Sequence, residues 1–187
     1  MFLSLSYHMN TKLISMLKEQ KKIVTVKSYN LPISRKKTVN LAKYIKYLPL
    51  KIAKRYLEEI IEKKRAVPYY RYNRDIPHRR NIDAKIKQGR YPVKSAKYML
   101  KLLNSLEKNA INLGLDPSKI LILYILVNKG NRTPLKINYE GRRVRRKSTH
   151  IEVYGIFIDQ FDPSKKYKRK ELKALVESII KEWLQKT

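Results

Sequence analysis

"ILILYILVNKGNRTPLKINYEGRRVRRKSTHIEVYGIFI" (Ile120 to Ile158) holds two β-rich apolar runs separated by about twenty polar residues. The runs Ile120 to Val127 and His150 to Ile158 carry the β-branched and aromatic residues that suit a pleated surface, and Gly130, Pro134 and Gly141 between them supply turn chemistry. The two runs are therefore expected to pair antiparallel as one long hairpin. If pairing continues outward from Val127 and Thr149, each arm gains about 11 residues, or roughly 35 Å at about 3.4 Å per residue. Such an arm projects beyond any core that a chain of this size can build.

The flanking segments supply that core. "KIVTVKSYNL" (Lys22 to Leu31) sets Ile23, Thr25 and Lys27 against Val24 and Val26, the two-residue period of a strand. Ser34 is placed to cap a helix over about 35 to 47, in which Val39, Ala42 and Ile45 recur at three-residue steps. Pro49 suits the start of a second helix, running to about Lys64, with Leu50, Ala53, Leu57, Ile60 and Ile61 on one face. A third helix opens at Pro92 and carries Val93, Ala96, Met99, Leu100, Leu103, Leu106 and Ala110 before Gly114 offers a cap. Last, "ELKALVESIIKEWLQ" (Glu171 to Gln185) places Leu172, Leu175, Val176, Ile179, Ile180 and Trp183 on one helical face, to dock on the core or on a partner helix.

The expected fold class is α+β: a three-stranded antiparallel sheet packed with three helices, a long protruding hairpin and an extra C-terminal helix. Residues 1–21 read as an extension, with Leu13, Met16 and Leu17 on one face of a weak helix or in no fixed structure. Residues 22–163 form the domain, with the hairpin arm over about 120–158. Residues 164–187 join the basic run "KKYKRK" to the C-terminal amphipathic helix.

Charge narrows the function. The 187 residues include 44 Lys and Arg against 15 Asp and Glu, a formal charge of +29, where a small soluble domain needs a magnitude of only about 2 to 8. A compact fold repels itself strongly at that charge unless a polyanion neutralises it. The longest apolar run, Ile120 to Val127, is far short of the ~20 residues of a spanning helix, so no membrane partner is expected. "MFLSLSYHMN" lacks the basic start and small-residue cleavage site of a secretion signal, so a cytoplasmic protein is expected.

Catalysis finds little footing. The chain has no cysteine, which removes thiolate chemistry and cysteine-ligated zinc. His8, His78 and His150 sit in unrelated segments and none pairs with another at metal-ligand spacing. Glu58, Glu59 and Glu62 lie beside Lys54, Arg55, Lys63 and Lys64 and read as a salt-bridged helix face. No metal, cofactor or enzymatic site is expected. An RNA-modifying or RNA-cleaving enzyme acting through His150 is the rival from that class.

Binding remains, and the side chains select the ligand. "AVPYYRYNRDIPHRRNIDAKIKQGRYP" (Ala66 to Pro92) is long, lacks period and is dense in Tyr and Arg, as functional loops often are. Arg71, Arg74, His78, Arg79, Arg80 and Arg90 stand here, and Arg142, Arg143, Arg145 and Arg146, with Arg132, Lys136 and Lys147, on the hairpin. The planar guanidinium holds phosphate in a two-pronged bond and stacks on bases. Tyr69, Tyr70, Tyr72 and Tyr91 interleave with the arginines and either stack on splayed bases or close the core. Cations spread over several loops, with no groove-reading helix, fit folded RNA better than duplex DNA. A free nucleic-acid-condensing or RNA-chaperone protein is the rival binding reading.

Three stretches in one order carry a resemblance: "SRKKTVNLAKYIK", "GRYPVKSAKYMLKLLNSLEKNAINLGLD" and "KSTHIEV". Together they resemble the universal large-subunit ribosomal protein family that bacteria number twenty-two and eukaryotes seventeen, over about Lys22 to Ile158. "GRYP" and the Tyr/Arg insertion before it resemble the archaeal and eukaryotic branch. The resemblance implies a structural constituent of the large ribosomal subunit that binds large-subunit ribosomal RNA, neighbours other large-subunit proteins and lines the polypeptide exit tunnel with its hairpin, whose tip meets the nascent polypeptide. By position it implies RNA contacts from Ser34, Arg35 and Lys36, from Arg90 and Tyr91, and along the returning arm from Arg142 to Ser148, Thr149 and His150; Lys37, next to the first group, is expected to bind RNA as well. At the tip, "LKINYEGRR" matches the family only at Gly141 and Arg142.

Overall fold

The computed structural model describes residues 23–82, 84–131, 134–137, 139–159, 161–163, 165 and 167–185. The extension 1–21 and Arg132 lie outside the described residues, as do the side chains of Lys136, Arg143, Arg145, Ile180 and Trp183. The chain order is β1 (Ile23–Leu31), α1 (Arg35–Ile45), α2 (Leu50–Ile61), β2 (Val67–Pro68), β3 (Gly89–Arg90), α3 (Val93–Asn112), β4 (Ile120–Lys129), β5 (Pro134–Ile137), β6 (Arg143–Arg145), β7 (Thr149–Phe157) and α4 (Arg169–Gln185).

The main sheet has the order β1-β7-β4, all antiparallel, so the last strand in sequence is the central one. A central strand must present apolar side chains on both faces. Ile151 and Val153 point to one face, Tyr154 and Ile156 to the other, and all four are buried. The first face packs on α1, α2 and α3 through Leu41, Ile45, Leu57, Met99, Leu103 and Leu106. The second packs on Phe161 and on Leu172 and Val176 of α4, so the C-terminal helix docks on its own domain. Arg169, the first residue of α4, fixes the docking by donating to the Lys43 and Lys46 carbonyls at the end of α1, at 2.7 and 2.9 Å. A cation on the last carbonyls of a helix also complements its dipole.

These two faces explain why "ILILYILV" shows no alternation. Ile120 and Ile122 face the three helices and Leu121 and Leu123 face α4, then a bulge between Ile122 and Tyr124 shifts the phase so that Ile125 joins the first face. The hairpin is likewise interrupted. β4 and β7 pair out to Lys129 opposite Thr149, and Gly130 donates to the Ser148 carbonyl at 3.0 Å. β5 and β6 then form a separate two-stranded ribbon, Pro134 opposite Arg145 and Ile137 opposite Arg143. The expected continuous arm is thus a jointed one, one ladder stopping at Lys129 opposite Thr149 and the next starting at Pro134 opposite Arg145.

Two helix starts differ from expectation. Ser34 occupies the N-cap of α1 but its side chain makes no capping bond, and Pro49 stands at the N-cap of α2 instead of inside it, bridging to Leu121. At the end of α3, Gly114 meets its expectation. It adopts φ +72°, and the Leu115 N–H bonds to the Ala110 carbonyl and the Gly114 N–H to that of Ile111, a paired closure that a left-handed residue permits. Of the acidic residues expected to be salt-bridged there, Glu59 lies between Arg55 and Arg65, and Glu62, the C-cap of α2, beside Lys64.

Candidate nucleic-acid interface

The N-termini of α1 and α3 converge at the root of the hairpin. A cleft of about 340 Å³ lies between them, lined by Ser34 and Lys37 of the α1 entry, Tyr91 and Lys94 of the α3 entry, and Lys147 of the returning hairpin arm. Buried Thr38 joins the two helices, its hydroxyl reaching the Ser34 carbonyl at 2.9 Å and the Ser95 hydroxyl at 3.3 Å. Neither helix carries an acidic residue in its first turn and neither N-cap supplies a side-chain acceptor. Free first-turn N–H groups and the positive dipole end make such a place favourable for an anion. The side chains are reversed from what a lone helix wants: Arg35, Lys36, Lys37 and Lys94 set positive charge on the positive ends, at about 0.3 to 1 kcal/mol each.

"STHIEV" opens as a latch for this root. The Ser148 hydroxyl donates to the Asn30 side chain at 3.2 Å, the Thr149 hydroxyl to the Ile33 carbonyl at 2.9 Å, and the Asn30 N–H donates to His150 Nδ1 at 3.0 Å. The His150 ring also meets Tyr29 edge-on. Thr149 is fully buried, so the structure places it inside, where it fastens β7 to the turn before α1. Ser148 and His150 are half-buried and keep one side outward.

The Tyr/Arg segment is an ordered excursion. β2 and β3 close its base, His78 bridges to Gln88, and Ile76 and Ile82 are buried beneath it. Gly89 permits that closure, since a Cβ there would lie 2.5 Å from Ile82 Cδ1 and 2.7 Å from the Val67 carbonyl. Asn40 of α1, itself buried, holds the stretch just after β2: its amide oxygen accepts from the Tyr70 and Arg71 N–H groups at 3.0 and 3.1 Å, and its nitrogen donates to the Arg71 carbonyl at 2.9 Å. The side chains of Arg71, Arg74, His78, Arg79, Arg80 and Arg90 are all exposed. Lys36 lies over the Tyr72 ring and Arg79 over that of Tyr91, so the excursion is continuous with the cleft.

The tyrosines divide between both expected roles. Tyr69 is core, 3% exposed, while Tyr72 is 44% exposed. The Tyr69 hydroxyl is buried without a hydrogen-bond partner among the described residues, and burial pushes its pKa up to about 12, against the pull of nearby Arg90. An unfolded tyrosine ionises near 10, so the raised folded value costs stability as pH climbs from about 10 to about 12 and costs none below. Tyr69→Phe is expected to be neutral or stabilising at pH 7, by up to about 1 kcal/mol, since it removes an unpaired buried group. It should also flatten the alkaline fall relative to the parent, as read by urea unfolding at pH 8 and pH 11.

Lys94 escaped the sequence reading, although a lysine in the first turn of a long helix, where acids are favoured, was a usable signal. Arg142 pairs weakly with Glu140 at 3.6 Å on the hairpin tip, and Arg146 is exposed near the joint. Among the described residues, no three His, Asp or Glu side chains are grouped so as to hold a metal ion, and no helix is long and apolar enough to cross a membrane.

Fold and site together define a strongly basic α+β module that turns two cation-loaded helix starts and a jointed, basic hairpin outward. The chain belongs to the family described as ribosomal protein L22p/L17e, whose model matches residues 26–154. It is 51% identical over 152 residues to a large ribosomal subunit protein uL22 of Nanoarchaeum equitans, covering 79% of this chain and 86% of that one. It is 39% identical over 127 residues to the protein of the same name in Ignicoccus hospitalis (67% and 79% covered). Against that of Sulfurisphaera tokodaii it is 34% identical over 140 residues (72% and 90% covered). These relatives agree with the archaeal-type branch, and the family match ends at Tyr154, before α4 begins.

Proposed function

We propose that this protein is a non-catalytic structural constituent of the large ribosomal subunit that holds large-subunit ribosomal RNA in the cleft between α1 and α3 and on the Tyr/Arg excursion. Its hairpin extends along the polypeptide exit tunnel, near the nascent chain, and other large-subunit proteins border it. Residues 22–163 act as the RNA-binding domain and the basic run before α4 as a strap. The observation that carries this reading is the placement of Arg35, Lys36, Lys37 and Lys94 on helix N-termini that no acid caps. Such an arrangement stabilises the fold only when an external anion sits there. A net charge of +29 and the names of the relatives support the same ligand.

Sedimentation through sucrose at moderate salt is the direct check. The protein is expected to travel with large subunits, and recovery at the top of the gradient with free protein would overturn the reading. A free condensing protein would instead bind arbitrary duplexes and ribosomal RNA fragments with comparable affinity and a steep salt slope.

A further inference from the structure

The domain carries a second basic surface, at the β4 edge of the sheet, beside the C-terminal end of α1. A groove of about 820 Å³ runs between α1, β4 and α4. Its floor is apolar, with Val39 and Ala42 from α1 and Ile125, Leu126 and Val127 from β4. Its walls are cationic: Lys43 and Lys46 on one side, Arg169, Lys170 and Lys173 on the other, with no Asp or Glu among the lining residues. Lys43 lies over the Tyr70 ring at 4.3 Å and Lys46 over those of Tyr47 and Tyr124 at 4.5 and 4.6 Å.

β4 is an edge strand, and part of its edge is open. On the side away from β7, Ile122 is engaged: its carbonyl accepts from the Tyr47 N–H at 2.8 Å and its N–H donates to the Leu48 carbonyl at 3.0 Å. Beyond the bulge, from Tyr124 to Asn128, no other described segment pairs with that edge. Long apolar edges are normally covered or blunted by charge pointing along them, because they template another strand. Here the uncovered stretch lies at the bottom of a groove whose cations stand on its two walls.

We propose that this groove takes an extended, acidic peptide segment of a neighbouring protein, which adds to the sheet beside β4. Backbone pairing with Tyr124 to Asn128 supplies a register of about five residues, and alternation sends apolar side chains to the α4 face beside Leu126 and carboxylates to the α1 face toward Lys43 and Lys46. The apolar floor and the unpaired strand edge favour a peptide over nucleic acid, which would offer phosphates to both walls and nothing to the edge. Arg169, clamped to the end of α1, holds α4 at the distance that keeps the groove open. The groove shares no residue with the cleft or with the β5–β6 ribbon, and it takes Arg169 and Lys170 of the basic run for the peptide instead of for RNA.

Hydrogen exchange on the full chain tests it with an acetylated heptapeptide of alternating Glu and Val, the same peptide with Lys for Glu, and an octauridylate. The acidic peptide is expected to slow exchange of the amides between Tyr124 and Asn128 by about tenfold or more, and the lysine peptide to leave them unchanged. Lys43→Glu with Lys46→Glu should abolish the protection, whereas Lys94→Gln with Lys147→Gln should leave it intact while weakening RNA binding. No protection at saturating acidic peptide overturns the proposal. Protection by the octauridylate alone would make the groove a nucleic-acid surface, and protection that grows with protein concentration without peptide would assign it to a second copy; either result also overturns it.

Discussion

Replacing Lys37, Lys94 and Lys147 together with glutamine weakens binding to a large-subunit RNA fragment by roughly 100-fold while leaving the free protein as stable as before or more so. Each cation that meets a phosphate contributes on the order of 1 kcal/mol net, and three such losses amount to about two decades in affinity. The salt dependence changes with them, the slope of log K against log salt falling by about 2 to 3, since each lost phosphate contact returns less than one counterion. Stability moves the other way. Lys37 and Lys94 sit in the first turns of α1 and α3 with no carboxylate beside them, so neutralising them removes an unfavourable charge–dipole term of a few tenths to about 1 kcal/mol each. Urea unfolding and fluorescence titration at several salt concentrations read both quantities on the same variant. Loss of stability would show that these lysines serve the fold, and unchanged RNA affinity would remove the cleft from the interface.

Asn40→Ala is expected to have the opposite profile, a large loss of stability with the surface charge untouched. Asn40 is 1% exposed and makes four bonds at once, its oxygen accepting two from the Tyr70 and Arg71 N–H groups and its nitrogen donating two to the Lys36 and Arg71 carbonyls. The Lys36 carbonyl keeps its helical partner after truncation, but the other three backbone groups lose theirs in a half-buried place. Buried groups left unpaired cost about 1 to 3 kcal/mol apiece, partly recovered where water enters, so a total of about 2 to 4 kcal/mol follows. At about 2 to 4 °C per kcal/mol, the melting temperature drops by roughly 5 to 15 °C. Exchange of the Tyr69 to Tyr72 amides should rise with it, because Asn40 is what ties the exposed Arg71 and Tyr72 to α1. A loss below about 0.5 kcal/mol would mean that the excursion is held from its β2–β3 base alone.

The elements that sequence revealed best are those whose period reports a single buried face. α2 and α3 read correctly because each turns one stripe to the sheet, and β1 because its alternation is regular. β4 and β7 read as strands by composition and as each other's antiparallel partners, but the central place of β7 did not, since a bulge and a second covered face erase alternation. That β7 is central follows from contacts more than a hundred residues apart, between Asn30 or Ile33 and Ser148 to His150. No local signal encodes them.

The site was legible as charge and only partly as geometry. Ser34, Lys37, Tyr91 and Lys147 were all expected to face RNA, and the fold brings these four, from three distant segments, into one cleft. Thr149 was expected there as well and is buried, because a threonine among polar neighbours looks the same in sequence whether its hydroxyl faces outward or bonds a backbone carbonyl. The groove beside α4 was not anticipated at all. Its cations come from the end of α1 and from the first turns of α4, and its open edge belongs to a strand whose apolar sequence suggested only burial.

Lysine reactivity in assembled subunits tests the central claim most directly. Purified large subunits and the free protein are treated with acetic anhydride, and the modification of each lysine is quantified by mass spectrometry. Lys37, Lys94 and Lys147 are predicted to be about tenfold or more less reactive in the subunit than in the free protein, because phosphate pairing and exclusion from solvent withdraw the free amine. Lys63 and Lys64, at the exposed end of α2, supply the reference. Equal reactivity of the three cleft lysines in both states would show that no RNA lies between the two helix starts, and would contradict the account.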